Sequence, residues 1–194
     1  MSPQSISVLT ICGLDELKDH SASGVSHVLS ILDPDWPEPE AFWAYDPHHR
    51  TTLHFHDIIE PQAGRLLPER GHVEAILTFG HSLAQNPGSG DGHLLIHCHM
   101  GVSRSTAAMA MILAQANPDI PEDEILTRLE ALRPQIWPNS LMIAYADELL
   151  GRRGRLTEAV RHLYGRRLAA KPSIATYMRE NARGREVDMA IPPA

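Results

Sequence analysis

One local unit constrains this chain more than any other. An apolar run, Leu94-Leu95-Ile96, passes through His97-Cys98-His99-Met100-Gly101-Val102-Ser103-Arg104-Ser105 into a helical pattern that continues to Ala116. The context is strand, loop, helix N-terminus. Three further apolar runs read as strands, at residues 5–12, 25–32 and 51–56, beside the run at 93–98. Helical patterns occupy residues 72–85, 105–116, 121–132 and 140–150. Strands interleaved with helices imply an α/β fold: a mainly parallel central sheet of four to five strands flanked by helices on both faces. Pro121 followed by Glu122, Asp123 and Glu124 is a good helix start, because proline is tolerated in the first turn and acids favour that end. Residues 86–92, Asn-Pro-Gly-Ser-Gly-Asp-Gly, read as a loop before the last strand. The chain contains no internal repeats.

The loop has the parts needed to hold a tetrahedral oxyanion. A phosphate monoester requires a nucleophile for phosphorus, positive charge on the equatorial oxygens and a proton for the leaving group. Backbone N–H groups from His99, Met100, Gly101, Val102, Ser103 and Arg104 would converge on the anion, helped by the free N–H groups and dipole of the following helix. Gly101 permits a backbone conformation or a close approach that a side chain would block. Arg104 offers a planar fork matched to two phosphate oxygens. The thiol of Cys98, six positions earlier, must ionise to attack. A free cysteine titrates near ~8.5, and helix N-termini and cations lower this to roughly 3.5–7.5. A plainer reading of Cys98, a buried strand-end cysteine, leaves the Gly, Arg and Ser spacing unexplained.

These residues resemble the loop of the cysteine-dependent protein tyrosine phosphatase superfamily, which reads His-Cys, two residues, Gly, two residues, Arg, then Ser or Thr. Every fixed position is present. The resemblance is closest to the compact dual-specificity branch. It extends to residues 24–31, similar to that branch's second core strand, and to Arg133-Pro134 through Pro138-Asn139, similar to its closing helix junction, so that it covers about residues 5–150. It implies that His97 supports the loop backbone from behind and that Ser105 assists breakdown of a phosphoenzyme. It also implies an aspartate after the third strand as proton donor. Asp57 stands at that carboxyl end, where open α/β sheets bind ligands. Turn or cap roles are the plainer readings of Asp57 and Ser105. Asp46 is a substitute for Asp57, but precedes the strand.

At 194 residues and 43% hydrophobic content the chain can bury one sizeable core. Its two cysteines, Cys12 and Cys98, give no disulfide framework. No apolar run approaches the ~18 residues that span a bilayer, and residues 1–7 lack a basic region before an apolar one. The expected location is therefore a reducing cytoplasm, which suits a reactive thiol. A redox role for Cys12 beside Cys98 competes with its reading as a buried strand residue.

The net charge of −7 conceals an asymmetry: residues 1–151 carry 7 Lys/Arg against 20 Asp/Glu, whereas 152–185 carry 10 against 2. The acidic body argues against nucleic acid as a partner. The expected organisation is a catalytic domain over residues 1–151, a basic amphipathic helix within 152–171 and a tail over 172–194. Leu156, Val160, Leu163, Tyr164 and Leu168 recur at helical spacing, which places the helix at about 156–169. The basic segment docks on its own acidic body or stays solvated, or else meets an acidic partner, a membrane or nucleic acid, and the tail is expected to be partly mobile or held by a partner. The proline-rich segment 33–50 holds Trp36, Trp43 and Tyr45, readable as a substrate-facing wall or as a lid packed on the core.

The implied activity is metal-independent hydrolysis of phosphate monoesters on phosphoproteins through a phosphocysteine, with no cofactor. The loop contains no Lys that would favour a polyphosphorylated inositol ring. Three alternatives remain: a metal site built from the alternating His54/His56 and His97/His99 pairs, a cysteine-loop enzyme acting on sulfur or arsenate, and a phosphate-recognition module without turnover. Oligomeric state and physiological substrate are not legible.

Overall fold

Four strands pair side by side, all parallel: β1 (Ile6–Cys12), β2 (His27–Leu32), β3 (His49–His54) and β4 (Gly92–His97), in the spatial order β1-β4-β2-β3. The structure is a computed structural model that describes residues 6–85 and 92–193. Ser5 of the first expected strand and residues 86–91 of the expected loop lie outside the described residues. The sheet thus has the lower of the two expected strand numbers. Its inner strands are β2 and β4, whose residues after the first are all buried, as expected for parallel strands covered on both faces.

Alternation along β4 divides the core. Leu94 and Ile96 face one layer together with Leu29 and Ile31 of β2, while Leu95 faces the other with Val28. The first layer is covered by α1 (Arg70–Gln85), α2 (Arg104–Ala116), α3 (Glu122–Leu132), α4 (Ser140–Leu149) and α5 (Arg155–Ala170). In α1 the buried residues Val73, Ile76, Leu77, Phe79 and Leu83 recur at three- and four-residue steps and give the helix its apolar stripe. The second layer is thinner. Two 3-10 helices, Leu14–His20 and Glu40–Ala44, lay Leu17 and Phe42 against Cys12, Val28 and Leu95. Sequence patterning missed both, because so short a helix shows no periodicity.

The expected basic helix is α5, and its apolar stripe is covered by the body of the molecule: Leu156, Val160, Leu163 and Tyr164 are buried in the main core. Asp147 of α4 starts this helix by accepting from Gly154 N (2.5 Å) and Thr157 N (2.9 Å). The basic segment docks on acidic neighbours through Arg155–Glu122 (3.0 Å) and Arg166–Glu130 (3.1 Å). Such half-exposed pairs contribute less than about 1 kcal/mol each. Arg152 is different. Buried to 4% exposure, it donates to Ala114 O and Asn117 O at the end of α2 and to Glu122 at the start of α3. The chain after residue 171 forms two more helices, α6 (Ser173–Glu180) and α7 (Gly184–Asp188). At 8 and 5 residues each is too short to show a periodicity, and they are fastened both by Met178 in the main core, with Ile174, Val187 and Met189 packed against it, and by the polar pair Arg183 and Glu186, 5% and 0% exposed. No helix among the described residues is long and apolar enough to cross a membrane.

Candidate active site

The carboxyl ends of β2, β3 and β4 lie together, since Ser30 pairs with His97 and Leu32 with His54. The residues that follow these strands, Asp33, Phe55 to Asp57 and Cys98, therefore meet at one edge of the sheet. This is where open α/β sheets bind ligands.

The loop after β4 is shaped by where its carbonyls go. His99 O accepts from Leu14 N (2.9 Å), Met100 O from Arg133 Nη2 (3.1 Å), Val102 O from Trp137 N (2.8 Å) and Ser103 O from Ala107 N (2.9 Å). The carbonyls are thus pulled outward to the body of the protein. Because a trans peptide directs its N–H opposite its C=O, the amides turn inward. Among the described residues no acceptor takes the N–H groups of His99 to Ser103. Unmet donors of this kind form an anion-binding nest at the start of α2. Gly101 makes the turn possible: its φ is +66°, and a Cβ there would lie 2.5 Å from Cys12 C and 2.7 Å from Gly13 N. Arg133 is braced by Glu16 (2.7 Å), whose second oxygen accepts from Gly13 N (2.6 Å). That ion pair and hydrogen bond hold Glu16 below the ordinary carboxylate range, the Arg133 bond outweighing burial.

Cys98 sits at the base of the loop, buried, with Sγ 3.1 Å from Ser105 Oγ. The helix N-cap is Ser103 rather than Ser105. The Arg104 guanidinium is fixed on one side: Nη1 donates to Asp33 Oδ1 (2.7 Å) and to Phe55 O (2.5 Å). Its Nε is buried without a partner. An arginine tethered through one nitrogen keeps the remaining edge of its fork for an anion.

Asp57 is held by a single oxygen. Oδ1 accepts from Ser103 Oγ (2.7 Å), Asn139 Nδ2 (2.9 Å) and Arg183 Nη1 (2.9 Å). Oδ2 accepts no hydrogen bond from the described residues, and the side chain retains 31% exposure. Burial pushes the carboxyl up, but Arg183, Arg104, Asn139 and Ser103 together reverse this and leave it below the ordinary aspartate range. Asn139 has two tasks, since its Oδ1 also caps α4 through Leu141 N and Met142 N. Asp46 precedes β3, at the opposite end of the strand from this cluster.

His97 is fully buried. Its Nε2 lies 2.6 Å from Ser30 Oγ on β2, and the Cys98 backbone at the base of the loop acts on the ring as a hydrogen-bonding group that opposes the effect of burial. Burial pushes it down to about 4. His99 Nε2 accepts from Asp33 N (3.2 Å), and Trp36 packs edge-on against its ring. Trp36 is half-exposed beside the loop, and Met100 is exposed within it. Tyr45 belongs to the packed lid instead: its hydroxyl donates to Leu17 O (2.6 Å) and its ring meets Phe42. Cys12 is wholly buried, and burial, with the Glu16 carboxylate, pushes its thiol up to about 12, which makes it a poor thiolate. Among the described residues no group of three or more His, Cys, Asp or Glu is arranged to hold a metal ion.

No family model and no curated protein sequence matches this chain significantly. Solved structures do. Human DUSP28 superposes with a TM-score of 0.54 at 14% identity, covering 78% of this chain and 99% of its own. The chain has the dual-specificity phosphatase fold. The human tyrosine phosphatase-like serine/threonine/tyrosine-interacting protein matches with a TM-score of 0.56 at 16% identity, over 77% of this chain and 96% of that one. The PTP-2 phosphatase of Cydia pomonella matches at 0.55 and 19% identity, over 76% and 89%. At these identities the likeness concerns fold, and chemistry has to be argued from the site.

On this phosphatase fold, Cys98, Arg104, Ser105 and Asp57 come to one place, with the amides of residues 99–103 between them. Four further participants escaped sequence reasoning. Asp33 carried the one available signal, an acid one step beyond a strand end. Asn139 was recognised only as part of a helix junction. Arg183 and Glu186 lie in the tail, 126 and 129 positions after Asp57, where no local pattern points back to the sheet.

Proposed function

We propose that the protein is a metal-independent phosphatase acting on phosphoproteins through a phosphocysteine. One observation carries the reading: a loop whose carbonyls at His99, Met100, Val102 and Ser103 are drawn outward leaves unbonded amides beside a cysteine whose sulfur meets a hydroxyl, with a tethered arginine alongside. In the first step the Cys98 thiolate attacks phosphorus. The S–P bond forms as the P–O ester bond breaks, and the leaving oxygen takes a proton from Asp57 Oδ2. Arg104 and the loop amides neutralise the equatorial oxygens. In the second step water attacks phosphorus, its proton passes to Asp57, and the S–P electron pair returns to sulfur as inorganic phosphate forms. Ser105 Oγ, 3.1 Å from Sγ, stabilises the departing thiolate.

Residues 1–151 supply every group that touches substrate in this scheme. Trp36 at the mouth of the loop favours an aryl phosphate, so phosphotyrosine is the preferred substrate, with phosphoserine and phosphothreonine as slower ones. Sulfur or arsenate chemistry needs no acid poised as Asp57 is. Hydrolysis of a phosphotyrosyl peptide with chelator present tests the reading. Wild type is expected to turn over and to be inhibited by vanadate, while Cys98→Ser binds the peptide without turning it over. Activity that requires added zinc or manganese would reject the proposal.

A further inference from the structure

The tail reaches the catalytic acid. Arg183 lies between α6 and α7, 5% exposed, and its guanidinium is fully committed. Nη1 donates to Asp57 Oδ1 (2.9 Å) and Ser103 Oγ (3.0 Å), while Nε and Nη2 each donate to Glu186 (2.8 Å). Glu186, wholly buried, also accepts from Trp137 Nε1 (2.7 Å) and Ser140 N (2.8 Å), and from the Tyr164 hydroxyl (3.3 Å). Trp137 stacks on Tyr164 with ring centroids 4.3 Å apart. Arg183 therefore bridges the acid to the segment that carries Asn139, which with Ser103 also grips Asp57. The turn that aims it is strained: Ala182, two residues past α6, has φ +55°, and Arg183 N closes the turn on Met178 O (2.8 Å). A non-glycine residue in this region costs about 1–3 kcal/mol and persists where its surroundings hold it.

We propose that Arg183 is a positioning residue of the active site: it pins one oxygen of Asp57 so that the other faces the leaving group, and residues 173–189 are thereby part of the catalytic apparatus. This rests on the phosphatase reading above. Asp57 Oδ1 has three donors on three segments, and only Arg183 among them is charged. The charged or titratable groups around this carboxyl are Arg183 and Glu186 from the tail, Tyr164 from α5, Arg104 from α2, His99 from the loop and His56 from its own segment. Arg183 exerts the strongest of the charge effects that lower Asp57. The carboxyl is thus an anion at neutral pH. An acid so held gives a rate that falls with rising pH from an acidic optimum.

The test compares wild type, Arg183→Lys, Arg183→Gln and the doubly neutral Arg183→Gln/Glu186→Gln, which avoids leaving Glu186 buried and unpaired. Phenyl phosphate, a poor leaving group that needs the acid, and p-nitrophenyl phosphate, which scarcely does, are followed across pH. In both Gln variants the limb falling with rising pH moves up by about one unit or more. At the wild-type optimum, phenyl phosphate turnover drops at least about ten-fold while p-nitrophenyl phosphate stays within about three-fold. Arg183→Lys keeps the limb near its wild-type position. A limb that stays put in the Gln variants, or parallel loss on both substrates, overturns the proposal and leaves Arg183 a purely structural residue. The 13C titration of the Asp57 carboxyl is read without reference to activity. Its midpoint lies below the ordinary ~3.9 in wild type and rises in the Gln variants, and a wild-type midpoint at or above that value overturns the contact by itself. Wild type with a depressed midpoint but no Cys98-dependent hydrolysis overturns the phosphatase reading instead, and with it the positioning role.

Discussion

Substituting Gly101 by alanine separates two physical effects that this loop combines. The first is backbone strain: φ is +66°, and a left-handed conformation costs an L-residue about 1–2 kcal/mol. The second is overlap, because the new Cβ would sit 2.5 Å from Cys12 C, with backbone rather than a flexible side chain as its neighbour. Relieving such overpacking costs about 1–3 kcal/mol. Together they amount to about 3 kcal/mol, or roughly 6–12 °C in Tm for a chain of this size. Gly151 is the control. Its φ is +64°, nearly the same, but a Cβ there meets nothing within 4 Å, so Gly151→Ala carries the strain alone and should lower Tm by about 3–6 °C. Activity separates them further. Overlap with Cys12 and Gly13 must push the loop off its seat, and a shift of ~1 Å in a reacting constellation costs about 10²-fold in kcat/KM. Gly151→Ala should retain wild-type kcat/KM. Thermal unfolding and steady-state kinetics on an aryl phosphate measure both. Equal destabilisation by the two variants, with Gly101→Ala fully active, would refute the claim that the loop is cradled against the end of β1.

Asp57→Asn should lower kcat on phenyl phosphate by about 10²–10⁴-fold and abolish the limb that falls with rising pH, with a much smaller loss on p-nitrophenyl phosphate; equal losses on the two would argue against proton donation. Asp33→Asn removes the charge from the 2.7 Å tether on Arg104, and should raise KM for an aryl phosphate several-fold while shifting Tm little, since the Asp33 side chain is 35% exposed. His97 gives a stability signature. It is neutral in the fold, pushed down to about 4, and titrates near ~6.5 when unfolded, so the unfolded chain binds the extra proton first. Stability is therefore lost as pH falls from about 6.5 towards 4, by about 3 kcal/mol at most, as urea unfolding would show. His97→Asn should make that interval shallower, the remaining slope belonging to His27, His72 and His99, which burial also holds low, whereas Asp57, Glu16 and Glu122, all held low, lose their contribution only below the ordinary carboxylate range near ~4.

What the sequence disclosed and what it concealed follow from range and from the kind of force involved. The strand, loop and helix around Cys98 are contiguous, and their apolar periodicity and glycine placement are local signals, so both the loop and the parallel sheet could be read directly. Asp57 was legible because a strand end fixes which edge of the sheet a following residue occupies. Tyr45 was ambiguous because an aromatic ring lines a pocket or a core equally well, and the hydrogen bond to Leu17 O that assigns it to the lid depends on a 3-10 helix without periodicity. Arg183 and Glu186 were invisible for a different reason. Their segment, residues 173–189, balances three Arg against three Asp/Glu, and the buried polar contacts it makes reach partners far away in the chain. Such pairing leaves no pattern along the chain.

Capture of the phosphoryl group by sulfur is the step on which the chemistry turns. Rapid acid quench during turnover of a 32P-labelled phosphotyrosyl peptide, followed by mapping of the labelled residue by mass spectrometry, should show up to one phosphoryl group per chain, attached to Cys98 and absent from Cys98→Ser. Steady hydrolysis with no labelled protein, or label on any other residue, would contradict it.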